Sequence, residues 1–314
     1  MAKRSWPWNC TGPATEVTDR RPDPNAARFD GFAAQYDEVR PTPPTALGRL
    51  LPSYAGAAGH VVDLGSGSGL STRWAAGWAE RVTGVEPGDD MRRVARERSP
   101  ELTFVAGSGH ATGLPDGSAD VVLCVQSFHW MEPTSTLDEV ARILRPGGVF
   151  AAIDCDWPPA VGSADAERAW HECRATVRVL EHRLAAGSTG AELTRPVRDT
   201  EEWRAYDGVD PHRDRVLAEG VRSWPKSGHL ERIAASGHFA WHREVALHHD
   251  ELGDADRYVG LLRSQGDYQL LRRTGLTDDQ LGVDVLRRVA DARLGPATRP
   301  WMFVYRARIG VRHE

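Results

Sequence analysis

The stretch 60–69, with the sequence HVVDLGSGSG, decides the fold of this chain. Its first half has the apolar, β-branched centre of a short buried strand, and a glycine-rich loop follows directly at 65–69. The next segment, 70–80 (LSTRWAAGWAE), has the composition of a helix. A strand, a glycine loop and a helix in this order begin a βαβ unit, and they predict a parallel sheet.

The same alternation of short strands and helices continues along the chain. Strands are predicted at 60–64, 81–86, 102–106, 119–126, 149–154, 239–249 and 301–311, and helices at 26–40, 44–55, 70–80, 89–99, 136–145, 228–237 and 254–294. We therefore expect an α/β fold, a doubly wound seven-stranded sheet with helices on both faces. Residues 160–225 lack strand signals and are rich in Arg, Glu and Ala, which predicts a helical cap.

The domain organisation follows from the same pattern. Residues 1–24 contain several prolines and no apolar periodicity, which predicts a flexible tail. The remainder, 25–314, is expected to form a single domain. Its core would consist of 45–159 and 226–314, with the helical cap inserted between them at about 160–225.

Composition excludes several classes of function. The net charge of −5 in 314 residues argues against a nucleic-acid partner. No apolar run approaches the ~18 residues that span a bilayer, and the first residues lack the apolar core of a secretory signal. We therefore expect a soluble, cytoplasmic protein with no membrane partner. The cysteines have no metal-ligand spacing, which predicts no metal site and fits a reducing compartment: Cys10, Cys124, Cys155 and Cys173.

The glycine loop and an acidic residue after the second strand point to a nucleoside. Glycines let the backbone pass close to a ligand, although such a turn can also serve no ligand at all. Leu70 stands where the dinucleotide fingerprint G-x-G-x-x-G requires glycine. Glu86, 21 residues after Gly65, could accept hydrogen bonds from both hydroxyls of a ribose. The alternative is that Glu86, with Asp89 and Asp90, only complements the dipole of the following helix.

Four ordered segments resemble one family. VVDLGSGSGLS (61–71), VTGVEPGDDM (82–91), ATGLPDGSADVVLCVQSFHW (111–130) and EVARILRPGGVF (139–150) resemble the class I S-adenosylmethionine-dependent methyltransferases of the small-molecule type. The last two predicted strands resemble the sixth and seventh strands of that Rossmann-like fold, the seventh antiparallel. The resemblance implies S-adenosyl-L-methionine as cofactor and methyl transfer to a small molecule, with secondary metabolism as one setting.

The resemblance also implies a set of cofactor contacts. The methionine and ribose would be lined by Asp63, Gly65, Ser66 and Gly67, and Glu86 would hold the ribose diol. The adenine would lie beside Pro87 and Met91, and Gln126 would lie near the methionine part of the cofactor. Many relatives have an acidic residue before Ala111, where this chain has His110. Either Ser108, His110 or a backbone carbonyl receives the adenine amino group here, or adenine recognition is looser and His110 is an exposed loop residue.

The segment FAAQYDEVRP (32–41) resembles the N-terminal helix that closes over the cofactor in this family. Tyr36 and Arg40 would then approach the carboxylate of the cofactor or the substrate, since arginine pairs with carboxylates in a bidentate manner. The alternative is a core tyrosine and a solvated arginine.

A base is needed only if the methyl acceptor must lose a proton. His129, after the fourth strand, and Asp154 and Asp156, after the fifth, are the candidates. Each has a structural alternative: His129 could hold its turn or the cofactor, and the aspartates could bind backbone amides. Five tryptophans fall in regions expected to cover the site and favour an apolar or aromatic acceptor: Trp130, Trp157, Trp170, Trp203 and Trp224.

Two other functions stay open at this point. A nicotinamide-dependent oxidoreductase could use a related sheet, although Leu70 and an antiparallel final strand argue against it. A catalytically silent, cofactor-binding regulatory protein would have the same loop and the same Glu86. The acceptor atom is not fixed by the fold. Exposed cap helices are compatible with a homodimer.

Overall fold

A computed structural model describes residues 25, 31, 33–198, 200–204, 215–216 and 221–314. Its centre is a seven-stranded sheet with the strand order β3-β2-β1-β4-β5-β7-β6. The strands are β1 (Val61–Leu64), β2 (Val82–Val85), β3 (Thr103–Val105), β4 (Ala119–Val125), β5 (Leu144–Cys155), β6 (Phe239–Gly253) and β7 (Arg299–Arg312). The predicted tail at 1–24 lies outside the described residues.

The first five strands are parallel to one another, whereas β7 pairs antiparallel with both β5 and β6. The helices are α1 (Ala33–Val39), α2 (Leu47–Ala55), α3 (Leu70–Ala76), α4 (Asp89–Arg98), α5 (Pro133–Ile143), α6 (Ala164–Ala185), α7 (Glu201–Arg204), α8 (His229–Ala235), α9 (Ala255–Arg263), α10 (Gly266–Arg273) and α11 (Val283–Arg293). This architecture confirms the predicted doubly wound α/β fold with an antiparallel last strand. None of the described helices is long and apolar enough to cross a membrane.

Alternating side chains of the central strands fill two cores, one on each face of the sheet. In β1, Val61 packs into the core that contains Trp170 of α6, whereas Val62 and Leu64 pack with Leu137 of α5 on the other face. All of these side chains are at most 2% exposed. Burial on both faces explains the near-continuous apolar composition of β1 and β4.

Several boundaries differ from the sequence-based prediction. The helix predicted to reach residue 145 ends at Ile143, and β5 begins at Leu144 instead of 149. Pro146 explains both shifts, because proline cannot continue a helix and the chain is already extended at Leu144. Strand β6 continues to Gly253, past the predicted residue 249, because β7 pairs with it along its full length.

The predicted helical cap is only partly helical. Helix α6 is a structural part of the sheet domain, since Trp170 and Val177 are buried in the same core as the strands. A two-stranded ribbon, Arg215–Val216 with Arg222–Ser223, follows α7. The sequence does not predict this ribbon, because strands of two residues are too short to show a period-2 pattern.

Candidate functional site

A cavity of about 1150 Å³ opens at the carboxyl ends of β1, β2 and β4, the edge where parallel sheets bind ligands. It is larger than the ~300–1,000 Å³ of an ordinary single-ligand pocket, so it has room for two small molecules. Many predicted cofactor residues line it: Tyr36, Arg40, Gly65, Ser66, Gly67, Glu86, Pro87, Met91, His110, Ala111 and Gln126. Asp63 and the three predicted catalytic residues, His129, Asp154 and Asp156, are not among its lining residues.

The glycine loop keeps its backbone open to this cavity. Gly65 and Gly67 have φ values of 74° and 53°, a region that favours glycine. A Cβ on Gly65 would come within 2.6 Å of the Cβ of Ser127, so a larger residue does not fit. A Cβ on Gly67 would meet only Met91 Sδ, at 4.0 Å, so it would extend into open space.

Ser66, between these glycines, carries an unsatisfied hydroxyl. The residue is 4% exposed, and its Oγ has no hydrogen-bond partner among the described residues. A buried polar atom without a partner costs about 1–3 kcal/mol. Ser66 lines the cavity, but its Oγ is buried beside Gly84 of β2 and is not accessible from the cavity.

Glu86 directly follows β2, and its carboxylate binds the backbone of the glycine loop. Its Oε2 accepts a hydrogen bond from the Gly67 amide (3.0 Å), and its Oε1 accepts one from the Gly88 amide (2.8 Å). Each carboxylate oxygen has a second lone pair for a ligand donor. Burial raises the pKa of Glu86 to about 7, even though these amides and Arg92 favour the charged form.

Asp63 lies in the protein interior beneath the glycine loop and does not line the cavity. Its Oδ2 accepts hydrogen bonds from Ser71 Oγ and Thr72 Oγ1, both at 2.7 Å, and these residues lie in the first turn of α3. The side chain is fully buried, which raises its pKa to about 6. Oδ2 of Asp63 thus has a structural contact, whereas the predicted contact of Asp63 with a ligand stays a prediction.

An ionic contact that the sequence does not reveal ties α1 to the glycine loop. Asp37 accepts a hydrogen bond from Ser68 Oγ (2.8 Å) and forms an ion pair with Arg73 of α3. Helix α1 is thereby held over the cavity that Tyr36 lines. No local motif marks Asp37, because its partners are more than thirty residues away in the sequence.

Arg40 lines the cavity and is held by two aromatic rings and by Ser264. Its guanidinium lies over the rings of Tyr36 (4.5 Å) and Trp157 (4.9 Å), contacts that stabilise a cation. Its Nε donates to Ser264 Oγ (2.8 Å), and its Nη2 donates to the Ser264 carbonyl (2.9 Å). Arg40 is thus partly buried and held by the protein, and no described residue accepts a hydrogen bond from its Nη1.

Gln126 follows β4 with φ 55°, a strained conformation for a residue other than glycine. Its Oε1 accepts a hydrogen bond from Lys226 Nζ (2.6 Å). Lys226 was not identifiable from the sequence, because it lies one hundred residues away in the chain. Because an ammonium only donates, this contact fixes the orientation of the Gln126 amide.

His129 and Asp154 belong to a buried polar cluster beside the cavity. Asp154 is 3% exposed, accepts a hydrogen bond from Arg308 Nη1 (2.9 Å) and lies 3.1 Å from Lys226 Nζ. His129 Nδ1 and His229 Nε2 approach Asp154 at 3.7 and 3.6 Å, beyond hydrogen-bond distance. Burial and Lys226 hold the pKa of His129 well below its usual value, so its ring is neutral.

The three residues His129, Asp154 and His229 converge as metal ligands could. However, the charge of Asp154 is already balanced by Lys226 and Arg308, which repel a further cation. These cations also hold the pKa of Asp154 far below its usual value, although its burial opposes this. The cluster is therefore an internal ion-pair network, and we assign it no metal.

The other two predicted polar residues lie near the protein surface. Asp156 forms an ion pair with Arg306 Nε (3.1 Å), and both side chains are more than 40% exposed. His110 is exposed at the β3 end of the cavity, where its ring lies 3.3 Å from Ser108 Oγ. The loop with His110 thus lines the cavity, and its contact with the adenine stays a prediction.

Aromatic residues surround the end of the cavity beyond β4. Trp130, Trp157 and Trp224 line it, together with Tyr305 and Arg222, which the sequence analysis does not identify. The other two tryptophans have structural roles. Trp170 is buried in the core, and Trp203 Nε1 donates to Thr176 Oγ1 of α6 (3.2 Å).

Comparisons with known proteins agree with this arrangement. Residues 62–152 match a family described as a methyltransferase domain. An uncharacterized methyltransferase of Mycobacterium tuberculosis is 38% identical over 126 residues, covering 40% of this chain and 51% of that protein. The demethylmenaquinone methyltransferase of Renibacterium salmoninarum is 30% identical over 149 residues, covering 45% of this chain and 62% of that enzyme.

A solved structure of a candidate type II methyltransferase from Anaeromyxobacter dehalogenans shares 26% identity and a TM-score of 0.53. The match covers 87% of this chain and 97% of that one. Residues 62–152 form a class I methyltransferase domain. The resemblance found in the sequence is therefore confirmed. The chain spans about half the length of the curated relatives it matches first.

The methyltransferase domain supplies only part of the cavity. Its matched segment contains the glycine loop, Glu86 and Gln126. Arg40, Trp157 and Trp224, which line the other end, lie outside that segment. The matched segment therefore supplies the cavity wall next to the methyltransferase motifs, and residues outside that segment complete the opposite wall.

Proposed function

We propose that this chain transfers the methyl group of S-adenosylmethionine to a small-molecule acceptor. The observation that carries the proposal is the paired contact of Glu86 with the Gly67 and Gly88 amides at the edge of a large cavity. A two-oxygen acceptor held in this way supports the proposed contact with a ribose diol. The open space beside Gly67 also fits a ligand that approaches the backbone of the glycine loop.

The remaining residues have distinct roles in this proposal. Bound S-adenosylmethionine supplies an electrophilic methyl group on a sulfonium sulfur. Pro87, Met91 and the loop around Ala111 would surround the adenine, and Gln126 would face the methionine part. Helix α1, held by Asp37, would exclude water from the cavity, while the aromatic end would orient an apolar or aromatic acceptor.

Calorimetric titration tests this proposal directly. We expect S-adenosylmethionine and S-adenosylhomocysteine to bind with a one-to-one stoichiometry and NAD to show no binding, because Leu70 replaces the third glycine of the dinucleotide fingerprint. NAD binding without any affinity for the sulfonium compound would favour an oxidoreductase instead. Binding without turnover on any acceptor would favour a silent regulatory protein.

A pair of glycine variants separates loss of the ligand from loss of stability. Gly67→Ala and Gly187→Ala each put alanine at a positive φ (53° and 89°), at a cost of about 1–2 kcal/mol. Only the Cβ at Gly67 would enter the cavity. We expect calorimetry to show lost cofactor binding for Gly67→Ala and unchanged binding for Gly187→Ala. Equal binding by the two variants would place the ligand elsewhere.

Cofactor affinity should depend on pH through Glu86. Its pKa is raised to about 7, and hydroxyl donors of a ribose favour the ionised form, so binding below pH 7 must release a proton. We expect the affinity to rise up to about tenfold per pH unit between pH 6 and 7 and to level off above pH 7.

The same titrations in buffers of different ionisation enthalpy measure the released proton. Asp63, whose pKa is about 6, also titrates in this range, so Glu86→Gln is the necessary comparison. That variant should lose the proton release near pH 7. Equal proton release by the variant and the wild-type protein would assign it to another group.

The homodimer and the cytoplasmic location expected from the sequence remain predictions. Size-exclusion chromatography with light scattering checks the first, and cell fractionation checks the second. Neither outcome changes the proposed chemistry, because every group discussed above comes from one chain.

A further inference from the structure

We propose that the methyl acceptor is a carboxylic acid with a flat apolar body, that Arg40 binds its carboxylate, and that a carboxylate oxygen receives the methyl group. This inference rests on the proposed function and adds the class of acceptor. It depends on three features of the cavity end beyond β4: its charge, its shape and the state of its titratable groups.

The charge at this end is positive. Arg40 and Arg222 both line it. Glu132 is the one carboxylate among the described lining residues beyond β4. It caps α5, because it accepts hydrogen bonds from the amides of Thr134 (3.1 Å) and Ser135 (2.7 Å). An anionic ligand would therefore be attracted to this end, and a cationic one would be repelled.

Arg40 is oriented in advance for such an anion. Its Nε and Nη2 are held by Ser264, and its planar face is covered by the rings of Tyr36 and Trp157. Nη1 is left as the donor without an acceptor among the described residues. Trp157 follows β5, two strands away from β1 and its glycine loop, so one face of Arg40 is directed to the proposed acceptor side. The other face covers Tyr36, which packs beside Met91, so Arg40 lies between the two parts of the cavity.

The walls at this end favour a flat apolar body. Trp130, Trp157 and Trp224 contribute aromatic surfaces, and Pro41 and Pro43 contribute rigid apolar ones. Aromatic rings pack best against planar groups, in stacked or edge-to-face arrangements. An aromatic or conjugated acid would contact these walls while its carboxylate reaches Arg40.

No described residue that lines this end is suited to remove a proton. The imidazole of His129 is not among the lining groups, and the carboxylates of Asp154 and Asp156 are paired with cations outside the lining. Tyr305 donates its hydroxyl to the Thr42 carbonyl (2.9 Å), and burial raises its pKa well above 10. An acceptor that is already ionised at neutral pH needs no base, and a carboxylate meets this condition.

The transfer balances without a proton. A lone pair of the carboxylate oxygen forms the new bond to the methyl carbon as the carbon–sulfur bond breaks, and the electrons of that bond stay on sulfur. The products are a neutral methyl ester and a neutral thioether. Arg40 would hold the other carboxylate oxygen and thereby fix the direction of attack.

The binding experiment compares acids with their primary amides, which have the same shape without the charge. Protein loaded with S-adenosylhomocysteine is titrated with trans-cinnamate, indole-3-acetate and 2-naphthoate, and with the amide of each. We expect at least one acid to bind about 10- to 100-fold more tightly than its amide, the usual effect of a charge-assisted hydrogen bond. This preference should disappear in Arg40→Met and largely persist in Arg40→Lys.

Two results would overturn the inference. One is that no acid binds better than its amide while S-adenosylhomocysteine still binds, which leaves the proposed function intact. The other is that Arg40→Met weakens cofactor binding and leaves the preference for acids unchanged, which places Arg40 in the cofactor site. Failure of the cofactor itself to bind would contradict the proposed function instead.

Two product measurements complete the test with the best-binding acid. The radiolabelled methyl group should be released as volatile methanol by mild alkali, as expected for an ester. At saturating concentrations of both substrates, kcat should be constant between pH 6 and 8. An alkali-stable product, or a kcat that falls on acidification as a general base requires, would contradict carboxylate methylation.

Discussion

Replacing Glu86 with alanine is expected to weaken S-adenosylmethionine binding by about 2–4 kcal/mol, as measured by calorimetry. The proposed ribose contact consists of two hydrogen bonds to a charged group, each contributing ~1.5–3 kcal/mol and partly replaced by water in the variant. The substitution also leaves the amides of Gly67 and Gly88 without their present acceptor, so the loop itself loses order.

Two control variants identify the cause of this effect. Asp89→Ala removes a carboxylate from the first turn of the same helix, α4, at the edge of the cavity, and should weaken cofactor binding much less than Glu86→Ala because that side chain is 95% exposed. Glu86→Gln retains an acceptor oxygen and should give an intermediate affinity. If Asp89→Ala weakened binding as much as Glu86→Ala, the helix dipole would explain both results. If Glu86→Ala left affinity unchanged, the ribose contact would be wrong.

Replacing Asp154 with asparagine is expected to lower the free energy of unfolding by about 3–5 kcal/mol. Removing one partner of a buried ion pair leaves an uncompensated buried charge, and here Arg308 is itself only 3% exposed. Glu244 also contacts Arg308, at 2.6 Å, and should limit the loss. Urea denaturation of the wild-type and variant proteins at pH 7 measures the difference.

Asp156→Asn is the matched control, since it makes the same chemical change two residues later. Its ion pair with Arg306 is more than 40% exposed on both sides, so we expect a loss of at most about 1 kcal/mol. Equal losses from the two variants would show that burial does not distinguish these aspartates.

Acidification provides an independent measure of the contribution of Asp154. Its pKa is lowered in the folded protein, so its stabilising effect is complete above the pKa of the unfolded chain and is lost as the pH falls toward the folded value. The wild-type protein should therefore lose more stability than Asp154→Asn between pH 5 and 3. An equal loss in the two proteins would contradict a paired, ionised Asp154.

The parts of the molecule that local sequence determines were predictable. The strand before Gly65, the glycine loop and Glu86 form within one βαβ unit, and short-range patterns are sufficient to locate them. The parallel sheet then brings the ends of β1, β2 and β4 to one edge, which accounts for the cavity and for most of its predicted lining residues.

The roles of individual polar groups were less predictable, because they depend on distant partners. Asp63 and Asp154 end up with structural contacts, since Ser71 and Thr72 donate to Oδ2 of Asp63 and Arg308 donates to Asp154 in the folded chain. The positions of Asp37, Lys226 and Ser264 depend on pairings across the domain that no local pattern encodes. A list of polar residues after the strands therefore predicts the location of the site better than its chemistry.

The most direct test of the central claim is a crystal structure of the protein with S-adenosylhomocysteine. We expect the ribose hydroxyls to contact the Glu86 carboxylate, the adenine to lie beside Met91 and the loop at 106–111, and the cavity end near Arg40 to remain accessible to an acceptor. A nucleoside bound elsewhere, or one whose ribose does not contact Glu86, would contradict the proposed site.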